Sequence, residues 1–178
     1  MTPALEVEAA AAEAALTEAF LLLGLPFAPI RHPPVHTVDE ARQVRANTPL
    51  ADAVHTKNLF LPDKKERMWL LTLREDQEVN LRALGARLGS SGNPSFGSAD
   101  RLRAWLGVTP GSVTPLAVIN DVRGGVKLLL DRSLVGARLA VHPNHNAATV
   151  IVSYDGLVRL VAGWGHPPEL IALEGSAP

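Results

Sequence analysis

Ten residues, Gly111-Ser112-Val113-Thr114-Pro115-Leu116-Ala117-Val118-Ile119-Asn120, set a polar G-x-x-x-P loop against an apolar run that ends in an amide side chain. The glycine permits backbone paths that a side chain blocks, and the proline fixes φ and stops the loop continuing as helix. With a rigid apolar anchor behind it, such a loop can aim N–H groups at a carbonyl oxygen or an anion. Taken alone it is equally an ordinary turn entering a strand. Upstream, Lys57 sits in Lys57-Asn58-Leu59-Phe60-Leu61, among residues that suit a half-buried strand. An ammonium there needs an anion or must snorkel to water, and spacing alone favours the solvated lysine. Asn58 beside it is the weaker candidate, read most simply as satisfying backbone groups in the strand. Downstream runs His142-Pro143-Asn144-His145-Asn146-Ala147-Ala148-Thr149, where a lone histidine is more often a structural hydrogen-bonder than a catalyst.

Two other chemistries deserve weighing. Ser112 with His142 as its base would make a nucleophile, but no G-x-S-x-G elbow is present to present the serine. A metal could be sought among His32, His36, His55, His142, His145 and His166. His142 and His145 have the spacing of one helical face, but Pro143 and Asn144 argue against a helix there, and no acidic residue falls beside them. No metal is expected. The absence of cysteine removes thiol nucleophiles, Cys-based zinc sites and disulfides together.

The elements that must hold these residues are readable in part. Residues 3–23 have high helix propensity, with Thr2 as a cap, Pro3 at the first helical position, early acids, and Gly24 where a C-cap belongs. A short, proline-interrupted strand over 27–31 suits a sheet edge. Thr37-Val38-Asp39-Glu40 has the spacing of a capping box for a helix through about 46. Strands over 54–61 and 67–73 flank a turn at 62–66 and form a hairpin with Lys57 on its first arm. Helices follow over 80–88, stopped by Gly89, and after the cap Ser98, ending at Gly107. The G-x-x-x-P loop then leads into a strand over 116–119, a turn, and a strand over 126–130, which together read as a second hairpin. A strand over 147–152 and a helix capped by Ser153 through about 162 complete the series. The tail after Gly165 is Pro-rich, and its last few residues are expected to be mobile.

These elements predict an α/β protein of the α+β type: a mixed, largely antiparallel, curved or barrel-like sheet with helices packed outside. At 178 residues, 47% hydrophobic and 20% charged, the chain fits one domain spanning 1–178, large enough for a core without disulfides. A formal net charge of −1 excludes coating of nucleic acid by bulk electrostatics. Local basic turns, Lys64, Lys65 and Arg67 or Arg101 and Arg103, can still touch a few phosphates, although each also reads as a solvated charge. The acidic N-terminus is wrong for a targeting signal and no apolar run approaches membrane-spanning length, so cytoplasmic residence without membrane contact is expected.

Several separated segments, in order, resemble the YbaK/ProRS-associated family of editing domains, which hydrolyse wrongly charged tRNA. They are His32-Pro33-Pro34-Val35-His36-Thr37 with Asp39-Glu40-Ala41, the K-N-L-F-L stretch, the G-x-x-x-P loop with its T-P-x-A-V-I-N continuation, and the H-P-x-x-N-x-A-T stretch. Together they cover roughly 20–165, and within the family the chain looks most like free-standing proteins that deacylate alanyl-tRNA(Pro). The resemblance implies a YbaK-like fold and an ester hydrolase needing no cofactor. It makes Lys57 the cation that holds the terminal ribose or phosphate, or steadies charge near the ester. It makes Gly111 and Ser112 part of the catalytic loop, and Val113, Thr114, Pro115 and Asn120 part of the substrate-binding wall with Asn58. His142 then lines the site, orienting water or limiting pocket size, with Asn146 beside it, and the loop and Lys57 should meet at one cavity sized for a methyl group. Water attack assisted by a ribose hydroxyl is the implied chemistry, which explains why no acid–base pair stands out. His36 where an aromatic is usual, Ala147 where a hydroxyl is common and His145 in the variable pair are departures that bear on substrate preference. The implied partners are the acceptor end of mischarged tRNA(Pro) and, secondarily, prolyl-tRNA synthetase.

The need for such an enzyme follows from magnitudes, since apolar contacts discriminate by only about 1 to 3 kcal/mol per methylene and a proline pocket admits alanine. Other readings stay open at this stage: a deacylase for cysteinyl-tRNA(Pro) or another small amino acid, a noncatalytic module that binds charged tRNA or a synthetase, and a metal-dependent hydrolase.

Overall fold

The alanine-rich N-terminal segment forms α1 (Pro3–Leu22), and Gly24 follows it with φ of +66°, the left-handed conformation that ends a helix without steric cost. In this computed structural model, the chain is described over residues 3–33 and 48–173. The Thr2 cap, the capping-box helix over 37–46 with His36, and the last residues of the tail lie outside the described residues. One stripe of α1 faces the protein: Leu16 and Phe20, four apart, are fully buried, and the Phe20 ring meets Phe27 edge-on at 5.1 Å.

The expected hairpin is present as β2 (Val54–Pro62) paired antiparallel with β3 (Met68–Arg74). With β1 (Ile30–Arg31), β4 (Val126–Asp131), β5 (Arg138–Val141), β6 (Ala148–Ser153) and β7 (Glu169–Ile171) these strands build one seven-stranded sheet in the order β1-β6-β5-β2-β3-β4-β7. It is mixed, with antiparallel pairing holding the larger share of the paired residues. The short, proline-flanked β1 takes an edge, as its prolines require. Helices α2 (Leu81–Arg87), α3 (Ala99–Leu106) and α4 (Tyr154–Gly163) start at Asn80, Ser98 and Ser153, whose side chains accept backbone N–H bonds from the first turn.

Strand alternation divides the core in two. Phe60, Met68 and Leu70 point to the side covered by Leu16 and Phe20 of α1, Leu102 and Leu106 of α3, and Leu157, Leu160 and Val161 of α4. Leu61, Trp69, Leu71 and Leu73 point the other way, against Leu84 of α2 and Ile171.

The structure corrects the reading of 116–119 as a strand, for Pro115–Asn120 is a 3-10 helix. Thr114 caps it and Pro115 supplies a preset φ at its start, while Leu116, Ala117 and Val118 are buried on all sides. A short apolar run buried all round carries no periodicity that separates strand from helix. The second hairpin disappears with it, since β4 pairs in parallel with β3 and β7 instead. Strands β5 and β7, four and three residues long, are further elements that sequence patterning passed over.

Candidate functional site

The turn at the head of the G-x-x-x-P loop has a definite form. Ser112 N donates to Thr109 O at 3.0 Å, Pro110 occupies the second position, and Gly111 has φ of +87°, which is a type II turn requiring glycine at its third position. The Ser112 amide is consumed in closing the turn. Among the described residues the amides of Gly111 and Val113 have no backbone partner, so these are the donors the loop offers. Ser112 itself is buried at 4% exposure. Thr114 and Pro115 are buried, and the Thr114 hydroxyl accepts from Leu116 N as a helix cap.

Asn58 ties this loop to the sheet. Its Nδ2 donates to Val113 O at 3.0 Å, and its Oδ1 accepts from the fully buried Thr72 hydroxyl at 2.8 Å. Asn58 and Thr72 are cross-strand partners on β2 and β3, so the bridge is fixed by register. Lys57, one residue earlier, alternates to the opposite face with Leu59 and Leu61, across from Leu73. Asp76 lies within its field: the Arg74 hydrogen bond chiefly holds that carboxyl below its ordinary value, and Lys57 adds to the effect.

The two faces meet where β2 and β5 part. These strands run parallel and pair only through Val54 with Leu139 and His55 with Ala140. Beyond that point β2 stays with β3 and β5 with β6, and Thr56 Oγ1 takes up Ala140 O at 3.1 Å in place of a backbone donor. Extending the register by two residues brings Lys57 level with His142, on the same face and at the mouth of the fork. Parallel strands that diverge make a crevice at their carboxyl ends, where ligands bind in open α/β sheets. Register thus sets Lys57 and His142 on one face at this fork, with Asn58 and the 109–113 turn it holds on the other.

A polar row extends from His142 across the sheet. His142 Nδ1 donates to Ala148 O at 3.0 Å. His32 Nδ1 likewise donates to Pro33 O, and its Nε2 meets the Thr149 hydroxyl at 2.9 Å. The His32 and His142 rings stand 6.2 Å apart between centroids. Sequence reasoning gave Thr149 only a place in the 142–149 motif and His32 only a place at the head of its own motif and among metal candidates, although both histidines open matching His-Pro pairs that could have signalled the contact. Among the described residues no three potential ligands converge on a metal position. His55 and His166 are bonded to the carbonyls of Leu50, and of Val126 and Asp121, respectively.

On the other side of the turn lies a cleft of about 710 Å3 between α1 and the loops at 107–112 and 144–146. Ser112, Asn120 and Asn146 line it, and Asn146 Nδ2 stands 3.8 Å from where a Gly111 side chain would begin. Asn120 Nδ2 is bonded to Leu106 O at 2.8 Å at the end of α3. A carboxylate of α1 clamps this region: Glu13 is gripped by both terminal nitrogens of Arg31 and receives a 2.7 Å bond from His145 Nε2, whose Nδ1 accepts from Ala147 N. The 142–147 hairpin loop, which carries His142 and Asn146, is thereby fastened to α1 and β1. Among the described residues, register sets Lys57 beside His142 at the fork, while Ser112, Asn120 and Asn146 line the cleft on the other side of the turn.

Comparison with known proteins gives a consistent result. The model of the aminoacyl-tRNA editing domain matches residues 32–160. Prolyl-tRNA editing protein ProX of Acetoanaerobium sticklandii is 39% identical over 146 residues, covering 81% of this chain and 87% of the relative. Prolyl-tRNA synthetase associated domain-containing protein 1 of Bos taurus is 34% identical over 163 residues, 89% of this chain and 93% of that protein. A crystal structure described as a candidate trans-editing enzyme for prolyl-tRNA synthetase superimposes with a TM-score of 0.67 at 16% identity, over 97% of this chain and 98% of that one, which speaks to the fold.

Proposed function

Because the chain belongs to the aminoacyl-tRNA editing domain family, we propose that it hydrolyses in trans the ester joining a wrongly attached small amino acid to tRNA(Pro), with alanine the preferred residue. The observation that carries the reading is the type II turn whose Gly111 and Val113 amides have no backbone partner among the described residues, held by Asn58 beside the β2–β5 fork. Such donors stabilise an oxygen that becomes negative, and removing one typically costs on the order of a hundredfold in rate. Water adds to the ester carbonyl carbon, and the carbonyl oxygen takes the charge facing Gly111 N and Val113 N. The bond from carbon to ribose oxygen then breaks, and the proton ends on that oxygen, releasing the amino acid and uncharged tRNA. His142 orients the water, and Lys57 holds the terminal ribose or phosphate. The mischarged acceptor end is the partner, and prolyl-tRNA synthetase is the enzyme whose errors are corrected. The names of the relatives, one a prolyl-tRNA editing protein and the other a protein with a domain associated with prolyl-tRNA synthetase, agree with this assignment.

The test is deacylation of alanyl-, cysteinyl-, seryl- and prolyl-tRNA(Pro) by the wild type and by Lys57→Ala, with and without EDTA. Loss of alanine first, prolyl-tRNA spared, a drop of at least about tenfold on removing the cation, and indifference to EDTA are expected. Faster release of cysteine would move the assignment to that substrate. Binding of every charged tRNA without turnover would replace the enzyme by a binding module, and loss of activity with chelator would replace the mechanism by a metal-dependent one.

A further inference from the structure

The cleft beneath α1 is far larger than a methyl side chain needs, and its chemistry is of another kind. At about 710 Å3 it lies in the size range of small-molecule sites. One wall is smooth and apolar because Ala9, Ala12 and Ala15 of α1 end at Cβ. The opposite wall offers Ser112 and the amides of Asn144 and Asn146. Among the described residues Asn144 Oδ1 is buried without a hydrogen-bond partner, and the residue sits at φ of +64°, a left-handed conformation that asparagine tolerates. The residue lines the cleft, and with its side chain turned toward that space the unsatisfied acceptor takes a donor from the ligand. At the rim Arg103 is 58% exposed, with Glu8 no nearer than 4.0 Å, so its cation is available to a phosphate.

We propose that this cleft is a nucleoside subsite for the unpaired 3′ end of the RNA, taking the cytidine that precedes the terminal adenosine. The flat base lies against the alanine wall, its exocyclic amine donates to Asn144 Oδ1, and its phosphate faces Arg103. Cytosine supplies the missing donor, whereas uracil, of the same shape, puts a carbonyl oxygen there and leaves two acceptors facing each other. Single-stranded RNA ends are recognised in this way, by splayed bases read on their Watson–Crick edges. The inference rests on the proposed function for the identity of the RNA, and it extends the reading from the ester to the nucleotide behind it.

Alanylated RNA minihelices ending in CCA and in CUA, and the alanyl ester of adenosine alone, separate the possibilities. With the wild type the CUA end is expected to raise KM about tenfold with little change in kcat. Asn144→Gly keeps the backbone conformation and should erase the difference between the two ends. Ala12→Leu, which fills the cleft from the helix side, should penalise the minihelices at least about tenfold more than adenosine ester. Equal KM for both ends, discrimination that survives Asn144→Gly, or an Ala12→Leu penalty shared by the adenosine ester would each overturn the subsite. Should no ester be hydrolysed, the proposed function fails on its own. Titration of the protein with cytidine and uridine 5′-monophosphates then decides the cleft, a cytidine preference lost in Ala12→Leu supporting it and equal or absent binding overturning it.

Discussion

Truncating Asn58 to alanine separates what the loop contributes to the fold from what it contributes to rate. The substitution removes the donor to Val113 O and strands the Thr72 hydroxyl, which is fully buried and cannot turn to water. Leaving such a group unsatisfied costs about 1–3 kcal/mol, and at about 2–4 °C per kcal/mol for a domain of this size the melting temperature should fall by about 2–12 °C. The rate should fall further than stability explains, because a turn freed to shift by about 1 Å loses on the order of a hundredfold in rate through misplaced donors. Asn58→Ala combined with Thr72→Val removes both buried partners, so thermal melts should recover most of the lost stability. Single-turnover deacylation should not recover with them, since Val113 O stays untethered. If kcat returns together with the melting temperature, or never falls in the single variant, Asn58 does not position the turn and the proposed oxyanion site is wrong.

Gly111→Ala meets only Asn146 Nδ2 at 3.8 Å, so its penalty is backbone strain at φ of +87°, about 1–2 kcal/mol in chemical denaturation, with loss of turnover and little change in KM. Glu13→Gln weakens the grip of α1 on Arg31 and His145; a modest destabilisation of about 1 kcal/mol and a larger fall in kcat would mark the clamp as a positioning device, while an unchanged kcat would make it purely structural. Asp63 is held well below its ordinary value of 3.8; burial opposes this, but the Ser91 N–H, the Arg67 side chain, and the N–H groups of Arg67 and Lys65 outweigh it. Because the folded carboxyl has the lower pKa, its stabilisation is complete above the ordinary value and is lost as pH falls below it toward the folded one. Asp63→Asn should therefore melt lower than wild type at pH 7, with the gap closing in strong acid, and equal melting at pH 7 would refute the argument.

Local signals in the sequence were trustworthy where a single residue performs a single job. Asn80, Ser98 and Ser153 each bond the first turn of the helix they precede, and the turn between β2 and β3 falls where its composition places it. The apolar run after Thr114 was not decidable, because burial on every side removes the periodicity that distinguishes strand from helix. The parallel pairings of β4 with β3 and of β2 with β5 join segments far apart in the chain, and no local pattern encodes them. The same holds for the site. Motif spacing located the loop, Lys57 and the 142–149 stretch, but the partners that fix them are reached only through the fold: Glu13 meets His145 across 132 positions, and His32 meets Thr149 across 117.

The separation of fork and cleft bears on how such an enzyme would spare its correct product. Space of about 710 Å3 cannot reject a proline ring by overlap, so the cleft beneath α1 is unsuited to sorting amino acids by size. Exclusion by size has to occur where packing is tight, because only a wall that cannot yield converts an extra ring into a large free-energy penalty. The fork is the better candidate for it: its strands part after two residue pairs and each is held on its outer side, by β3 and by β6, with Lys57 and His142 next in register. In the proposed function the turn at 109–112 stands between two different recognitions, an amino acid judged by volume on one side and a nucleotide judged by hydrogen bonding on the other. A site arranged in that way can demand the right RNA and the wrong amino acid together, which neither half can do alone.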